Sequence, residues 1–150
     1  MKRMICVLLA AVMVLSLAAC GNGNASSGKQ TASAYLDQDE DVAVEVTVDL
    51  SGGWSVEFAR GAAYLYDGEI TEGKEGVAML VTLDKDVYED HMKAAMADEN
   101  RKEADGGVYF DYDGEGAYLA SLEDTAYVLI TAANKKDIEA IAARFALALD

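Results

Sequence analysis

The sequence predicts an α+β fold: an antiparallel β-sheet built from hairpins, with two amphipathic helices packed on one face. Three observations predict it. Apolar and polar residues alternate strictly from Val42 to Leu50 and again from Trp54 to Phe58, and Ser51-Gly52-Gly53 joins the two runs. The dipeptide Asp-Gly, which readily adopts the positive φ angles of a type I′ turn, stands at Asp67-Gly68 and at Asp113-Gly114. Two stretches, 84–100 and 134–149, space their apolar residues as a helix does.

Val42, Val44, Val46, Val48 and Leu50 share one face of the first strand. The three-residue turn sets Leu50 opposite Trp54, Val48 opposite Val56 and Val46 opposite Phe58, so the two apolar faces agree in register. A second hairpin, 62–66 with 69–72, closes on Asp67-Gly68. Residues 77–84 are apolar on both faces, which predicts a central strand. Asp84 then caps a helix reaching about Asn100, with a buried stripe of Tyr88, Met92, Ala95 and Met96. Its first turn is acidic and Arg101 and Lys102 follow its end, as the helix dipole favours. A third hairpin, 107–112 with 115–122, closes on Asp113-Gly114 and is followed by a strongly apolar strand over 125–132. Asn134 caps the last helix, with Asp137 at its third position and Ile138, Ile141, Ala142, Phe145 and Leu149 on its buried face. The order is ββ-ββ-β-α-ββ-β-α. Tyr-Asp-Gly-Glu recurs at 66–69 and 112–115, but Tyr66 and Tyr112 differ in side-chain parity, so the repeat reads as shared turn chemistry rather than duplication.

The chain of 150 residues carries 12 Lys and Arg against 27 Asp and Glu, a formal charge of −15. Such a balance excludes a nucleic-acid binder that works by neutralising phosphates, and the length predicts one domain. Residues 1–19 open with Lys2 and Arg3, continue as an apolar run from Ile5 to Ala19 broken by Ser16, and end in small residues. That pattern is a secretory signal, too short for the ~20 apolar residues of a spanning helix. Leu17-Ala18-Ala19-Cys20-Gly21 resembles the lipobox of bacterial lipoproteins. The resemblance implies cleavage before Cys20, a diacylglyceryl group on its thiol, and an extracytoplasmic protein anchored to the bacterial membrane by that lipid. Cys6 then leaves with the signal, so the mature chain holds no free thiol for a nucleophile, a disulfide or a zinc site.

Residues 20–41 are expected to be the lipidated cysteine and a tether. Gly21 to Ala34 is small and polar and, as a coil, spans ~20 Å on average, while Asp37, Asp39, Glu40 and Asp41 make the domain edge acidic and repel anionic lipid. Residues 42–150 form the domain. Its early hairpin bearing Trp54 and its C-terminal helix are similar to the Mog1/PsbP-like domain, an α+β fold of small envelope and thylakoid-lumen proteins, from which no functional residue is carried over.

Three sets of residues are candidates for chemistry. His91 is the only imidazole and borders the stripe of the first helix, and no Gly-x-Ser-x-Gly, phosphate-loop or dinucleotide motif accompanies it, so no enzyme activity and no cofactor are predicted. Asp111, Asp113 and Glu115, with Gly116 at the sixth place, resemble the start of a calcium loop. Leu122 stands where that loop has its bidentate acid, and a tight hairpin with solvated acids explains the same spacing. Tyr109 and Tyr118 are directly opposed if the second Asp-Gly turn holds two residues, and Tyr64 and Tyr66 sit on the non-core face of the earlier hairpin. Four tyrosines on one sheet face suit a partner or a small ligand, and a covering second layer is the alternative. These features predict a membrane-anchored, non-catalytic binding or accessory lipoprotein for an envelope protein or ligand. The alternative is a binder of divalent cations or small cationic ligands through the acidic turns.

Overall fold

The alternating segments build two antiparallel sheets rather than one. The computed structural model describes residues 30–39 and 42–149. In chain order the elements are β1 (Thr31–Asp39), β2 (Val42–Asp49), β3 (Trp54–Ala59), β4 (Ala62–Asp67), β5 (Ala78–Leu83), α1 (Lys85–Ala97), β6 (Lys102–Ala104), β7 (Gly107–Tyr112), β8 (Glu115–Leu122) and β9 (Ala126–Ala132). A 3₁₀ turn (Lys135–Asp137), α2 (Ile138–Ala142) and β10 (Phe145–Leu149) complete the fold. The small sheet has the order β1-β2-β10 and the large one β3-β4-β5-β9-β8-β7-β6.

Side-chain parity explains the layering. The inward residues of β2, Val44, Val46 and Val48, are fully buried and belong to one cluster with Leu36 of β1, Phe145 of β10, and Leu65, Leu80, Val128 and Ile130 of the large sheet. Complete burial of each such side chain stabilises by roughly 1.5–3 kcal/mol, which drives the two sheets face to face. Ile138, Ile141 and Ala142 of α2 join the same cluster. Across the large sheet, Leu83, Phe110, Leu119, Tyr127 and Leu129 form a second cluster under α1, where Ala95 is buried and Tyr88 stacks on Tyr127 at 4.3 Å. The molecule thus has three layers: the small sheet with α2, the large sheet, and α1.

The predicted fold class is therefore corrected: the chain is mostly antiparallel β, with one helix of 13 residues and one short helical segment, and the two lie on opposite faces of the large sheet. Four local readings fail with it. First, β2 and β3 do not pair with each other; β2 pairs with β1 and β10, and β3 pairs with β4. An apolar face can be buried against a facing sheet as readily as beside a neighbour, so alternation on both sides of Ser51-Gly52-Gly53 does not make that segment a hairpin turn. Second, residues 31–39, expected in the tether, form β1, in register with β2 from Thr31↔Asp49 to Asp37↔Ala43 and, after a one-residue shift, at Asp39↔Val42. Third, 69–72 is not a strand, and Lys74 Nζ instead donates to the carbonyls of Asp67 and Glu69 across that loop. Fourth, the last helix is short. Asn134 does accept from the Lys136 N–H, but Phe145, Leu147 and Leu149 alternate at period two and pair with Val48, Val46 and Val44.

The third predicted hairpin forms with the expected pairs, Tyr112↔Glu115, Phe110↔Ala117 and Tyr109↔Tyr118, and Asp113 and Gly114 both have positive φ. Helix α1 also forms, although Met96 of the expected stripe is half exposed, at 50 %. The leader 1–19, Cys20, residues 21–29, Glu40 and Asp41 lie outside the described residues.

Candidate functional site

A concave surface lies at the end of the sandwich where β2 passes into β3. Trp54 opens β3 opposite Asp67, and its N–H donates to the Leu50 carbonyl at 3.2 Å. Arg144 sits between α2 and β10. Its Nη1 donates to the carbonyls of Asp49, at 2.9 Å, and Ser51, at 3.1 Å, and its guanidinium carbon lies 4.4 Å from the centre of the Trp54 ring. The Asp49 N–H in turn donates to the Arg144 carbonyl at 2.8 Å. Gly52 and Gly53 carry φ near +90°, a conformation glycine adopts without strain, and they bring the chain round beside the indole.

A cavity of about 440 Å³ opens here, lined by Trp54, Asp67, Val77, Ala133, Asn134, Asp137, Ala140, Ile141 and Arg144. It joins an aromatic face and aliphatic side chains to a fixed guanidinium, two carboxylates and an amide. Such a lining orients a small polar group while holding an apolar part.

Of the sequence-predicted residues, Tyr109 and Tyr118 do meet, with ring centres 4.5 Å apart, on the face of the large sheet toward the small one. Their role is visible in the neighbours. A Cβ on Gly107 would fall 2.7 Å from the Tyr118 ring, and the Tyr118 hydroxyl donates to the Asp105 carbonyl at 3.3 Å, so the ring fills the space that the glycine leaves. Burial pushes the phenol pKa of both tyrosines up. Tyr64 and Tyr66 lie on the opposite face of the sheet, so the four-tyrosine surface does not exist. Pairing with β5 fixes the parity of β4, placing Tyr64 beside Met79, whereas Tyr118 pairs with Ile130 on the other side. Tyr66 is buried and donates to Glu57 Oε2 at 3.1 Å; burial first, and then that carboxylate, push its pKa up.

The acidic turn does not assemble as a cation loop. Asp111 Oδ2 accepts from Lys135 Nζ at 3.1 Å and Oδ1 from the Gly114 N–H at 2.9 Å, and these contacts, Lys135 first, hold its carboxyl below the usual range. Glu115 pairs with Tyr112, on the sheet face opposite to the Asp111↔Gly116 pair. Among the described residues no group of three His, Cys, Asp or Glu is placed to hold a metal ion. Gly116 is explained by packing: a Cβ there would stand 2.8 Å from both Ile138 Cβ and Lys135 Cα. His91 is committed to the helix side, with Nδ1 2.8 Å from the Val87 carbonyl and its ring 5.1 Å from that of Tyr112.

Sequence reading missed the Trp54–Arg144 site. Trp54 reads in sequence as an apolar-face residue of a hairpin, and Arg144 lies within the expected last helix without belonging to its buried face. The pairing joins the start of β3 to the end of α2, far apart in sequence, so no local period reports it. The single tryptophan, beside two glycines that need no side-chain space, is the one signal present.

No protein-family model matches this chain, and neither does any curated protein or solved structure. Among the described residues no helix is long and apolar enough to cross a membrane.

Proposed function

We propose that this protein is an envelope lipoprotein, anchored through a lipid on Cys20, that acts as a non-catalytic binding module and takes a small ligand or a segment of a partner protein in the Trp54–Arg144 cleft. The observation that carries the reading is the arrangement of Arg144, which already lies on the indole and is already held by two backbone carbonyls. A side chain fixed before the ligand arrives loses little further rotamer freedom on binding, which is the physical mark of a pre-organised site. The cleft's mixture of apolar wall, guanidinium and carboxylates serves recognition. The single imidazole, His91, stands on α1 against Tyr112, away from the residues that line this space.

The test is photo-crosslinking in membranes of the native host, with full-length protein beside Cys20→Ala and beside the pair Trp54→Ala and Arg144→Ala. The expected result is palmitate label on the wild type and none on Cys20→Ala, with one stoichiometric adduct that the cleft variants lose and Tyr109→Ala keeps. An adduct indifferent to the cleft variants would overturn the assignment of the site.

A further inference from the structure

We infer that the anchored domain stands with its Trp54–Arg144 end against the bilayer and its β1–β2 end pointing away, so that the cleft opens into the headgroup layer; this rests on the lipid anchor proposed above. The point at which the chain enters the fold carries the argument. The Gln30 carbonyl accepts from the Leu50 N–H at 2.6 Å, and Thr31 is paired with Asp49. Leu50 also accepts from the Trp54 N–H, and Asp49 and Ser51 from Arg144. The entry point and the cleft therefore share one short stretch of backbone.

From Thr31, β1 runs nine residues to Asp39, which at ~3.3 Å per residue carries the chain roughly 30 Å to the opposite end. The acidic residues Asp37 and Asp39 thus sit toward the far end of β1 rather than at the membrane edge. Around the far end Asp84, Asp86 and Asp124 line one concavity with Val42 and a single cation, Lys85, which leaves it net acidic. Only ten residues, 21–30, separate Cys20 from β1, and ten residues span at most roughly 35 Å even fully extended. A short link at one end and acidic groups at the other give one preferred posture on a leaflet with negative surface potential.

The near end has the chemistry of an interface. An indole with one apolar body and one N–H, and an arginine whose stem lies on it, are suited to the boundary between water and acyl chains. Trp54 is half-buried against the main core, and Ser51, Gly52 and Gly53 beside it are exposed and small, so no bulky side chain of that turn screens the part of the indole that is left open. The cleft's carboxylates, Asp67 and Asp137, select the surface: with Arg144 on the same wall, it matches a headgroup that carries both a phosphate and an ammonium, rather than a purely anionic one.

Trp54 is the only tryptophan, so its emission reports the position of this end alone. Full-length lipidated protein is reconstituted into vesicles of phosphatidylcholine with a minority of phosphatidylglycerol, with and without a nitroxide on the phosphatidylcholine headgroup. The expected result is strong quenching of Trp54, and several-fold weaker quenching of the indole in a Trp54→Phe, Arg60→Trp protein, whose tryptophan sits in the far β3–β4 turn. Protein that floats with the vesicles but shows unquenched Trp54, or quenching that is equal at both positions, overturns the orientation and leaves the anchor standing. Wild-type protein that fails to float, like Cys20→Ala, overturns the anchor and the orientation together.

Discussion

Arg144 holds its guanidinium carbon 4.4 Å from the Trp54 ring centre, while its Nη1 bridges the carbonyls of Asp49 and Ser51. One side chain thereby joins the end of β2, the start of β3 and the entry to β10, which flank the two places where the chain passes between the two sheets. The same contact closes one wall of the cleft, so fold and site depend on it together.

Arg144→Ala should lower stability by about 2 kcal/mol, the combined scale of a cation–π contact and of hydrogen bonds from a charged donor. Arg144→Lys should restore only part, because a compact ammonium cannot lie flat on the indole and reach both carbonyls at once. Urea unfolding followed by Trp54 emission measures both, and a lysine variant as stable as the wild type would show that charge alone suffices.

Leu36 of β1 is only 2 % exposed and packs with Val44, Val46 and Val48 in the main core. Leu36→Ala should therefore cost roughly 2–4 kcal/mol, as expected for a buried leucine. A chain starting at residue 42 should fail to fold cooperatively, while one starting at residue 30 should melt as the full domain does. Thermal circular dichroism of the two truncations decides it, and an unchanged transition without β1 would show that β2 needs no partner on that side.

These truncations also show how much of the fold was legible. The 107–122 hairpin could be read because its turn dipeptide, its period and its cross-strand pairs all act within a few residues. Strand β1 could not be read in the same way. Its inward residues Ala32 and Ala34 are small, so the alternation that Leu36 completes is faint, and its outward Thr31 and Ser33 resemble a linker. Segment 138–149 satisfies two periods in turn: Ile138, Ile141 and Ala142 fit a helix, and Phe145, Leu147 and Leu149 fit a strand. Alanine at the intervening positions allows either reading, and the free edge of β2 decided between them. The tyrosine surface failed for a non-local reason as well, since the parity of β4 is set by β5 and not by the Asp67-Gly68 dipeptide.

Gly116 should not tolerate a methyl group. Its missing Cβ would stand 2.8 Å from Lys135 Cα and from Ile138 Cβ, so backbone of the 3₁₀ turn, rather than a flexible side-chain end, would have to move. Gly116→Ala should cost about 1–3 kcal/mol and should also weaken any ligand of the cleft, because Asn134, Asp137 and Ile141, which line it, lie in or beside that turn. Chemical denaturation and a crosslinking yield in the same variant test the two effects. Full stability would mean that the 3₁₀ turn yields at no cost.

Asp98 supplies the pH dependence most open to measurement. It ends α1, where Oδ2 accepts from the Asp111 N–H and Oδ1 from the Asn100 N–H, both at 2.8 Å. Those two backbone donors, Asp111 first, hold its carboxyl below the usual carboxylate range. A carboxyl whose pKa is lower folded than unfolded favours the native state when ionised. Its contribution is complete above the unfolded value, ~3.9, and disappears as pH falls through the lower folded value. Asp98→Asn keeps only one oxygen for two donors and should therefore be the less stable protein at neutral pH. The stability difference between the two should stay level down to about pH 5 and shrink below about pH 4, as the wild-type group takes up its proton. Urea midpoints compared from pH 7 to about pH 3 measure it. A difference that stayed constant over that range would assign the effect to shape at the end of α1 and not to the charge of Asp98.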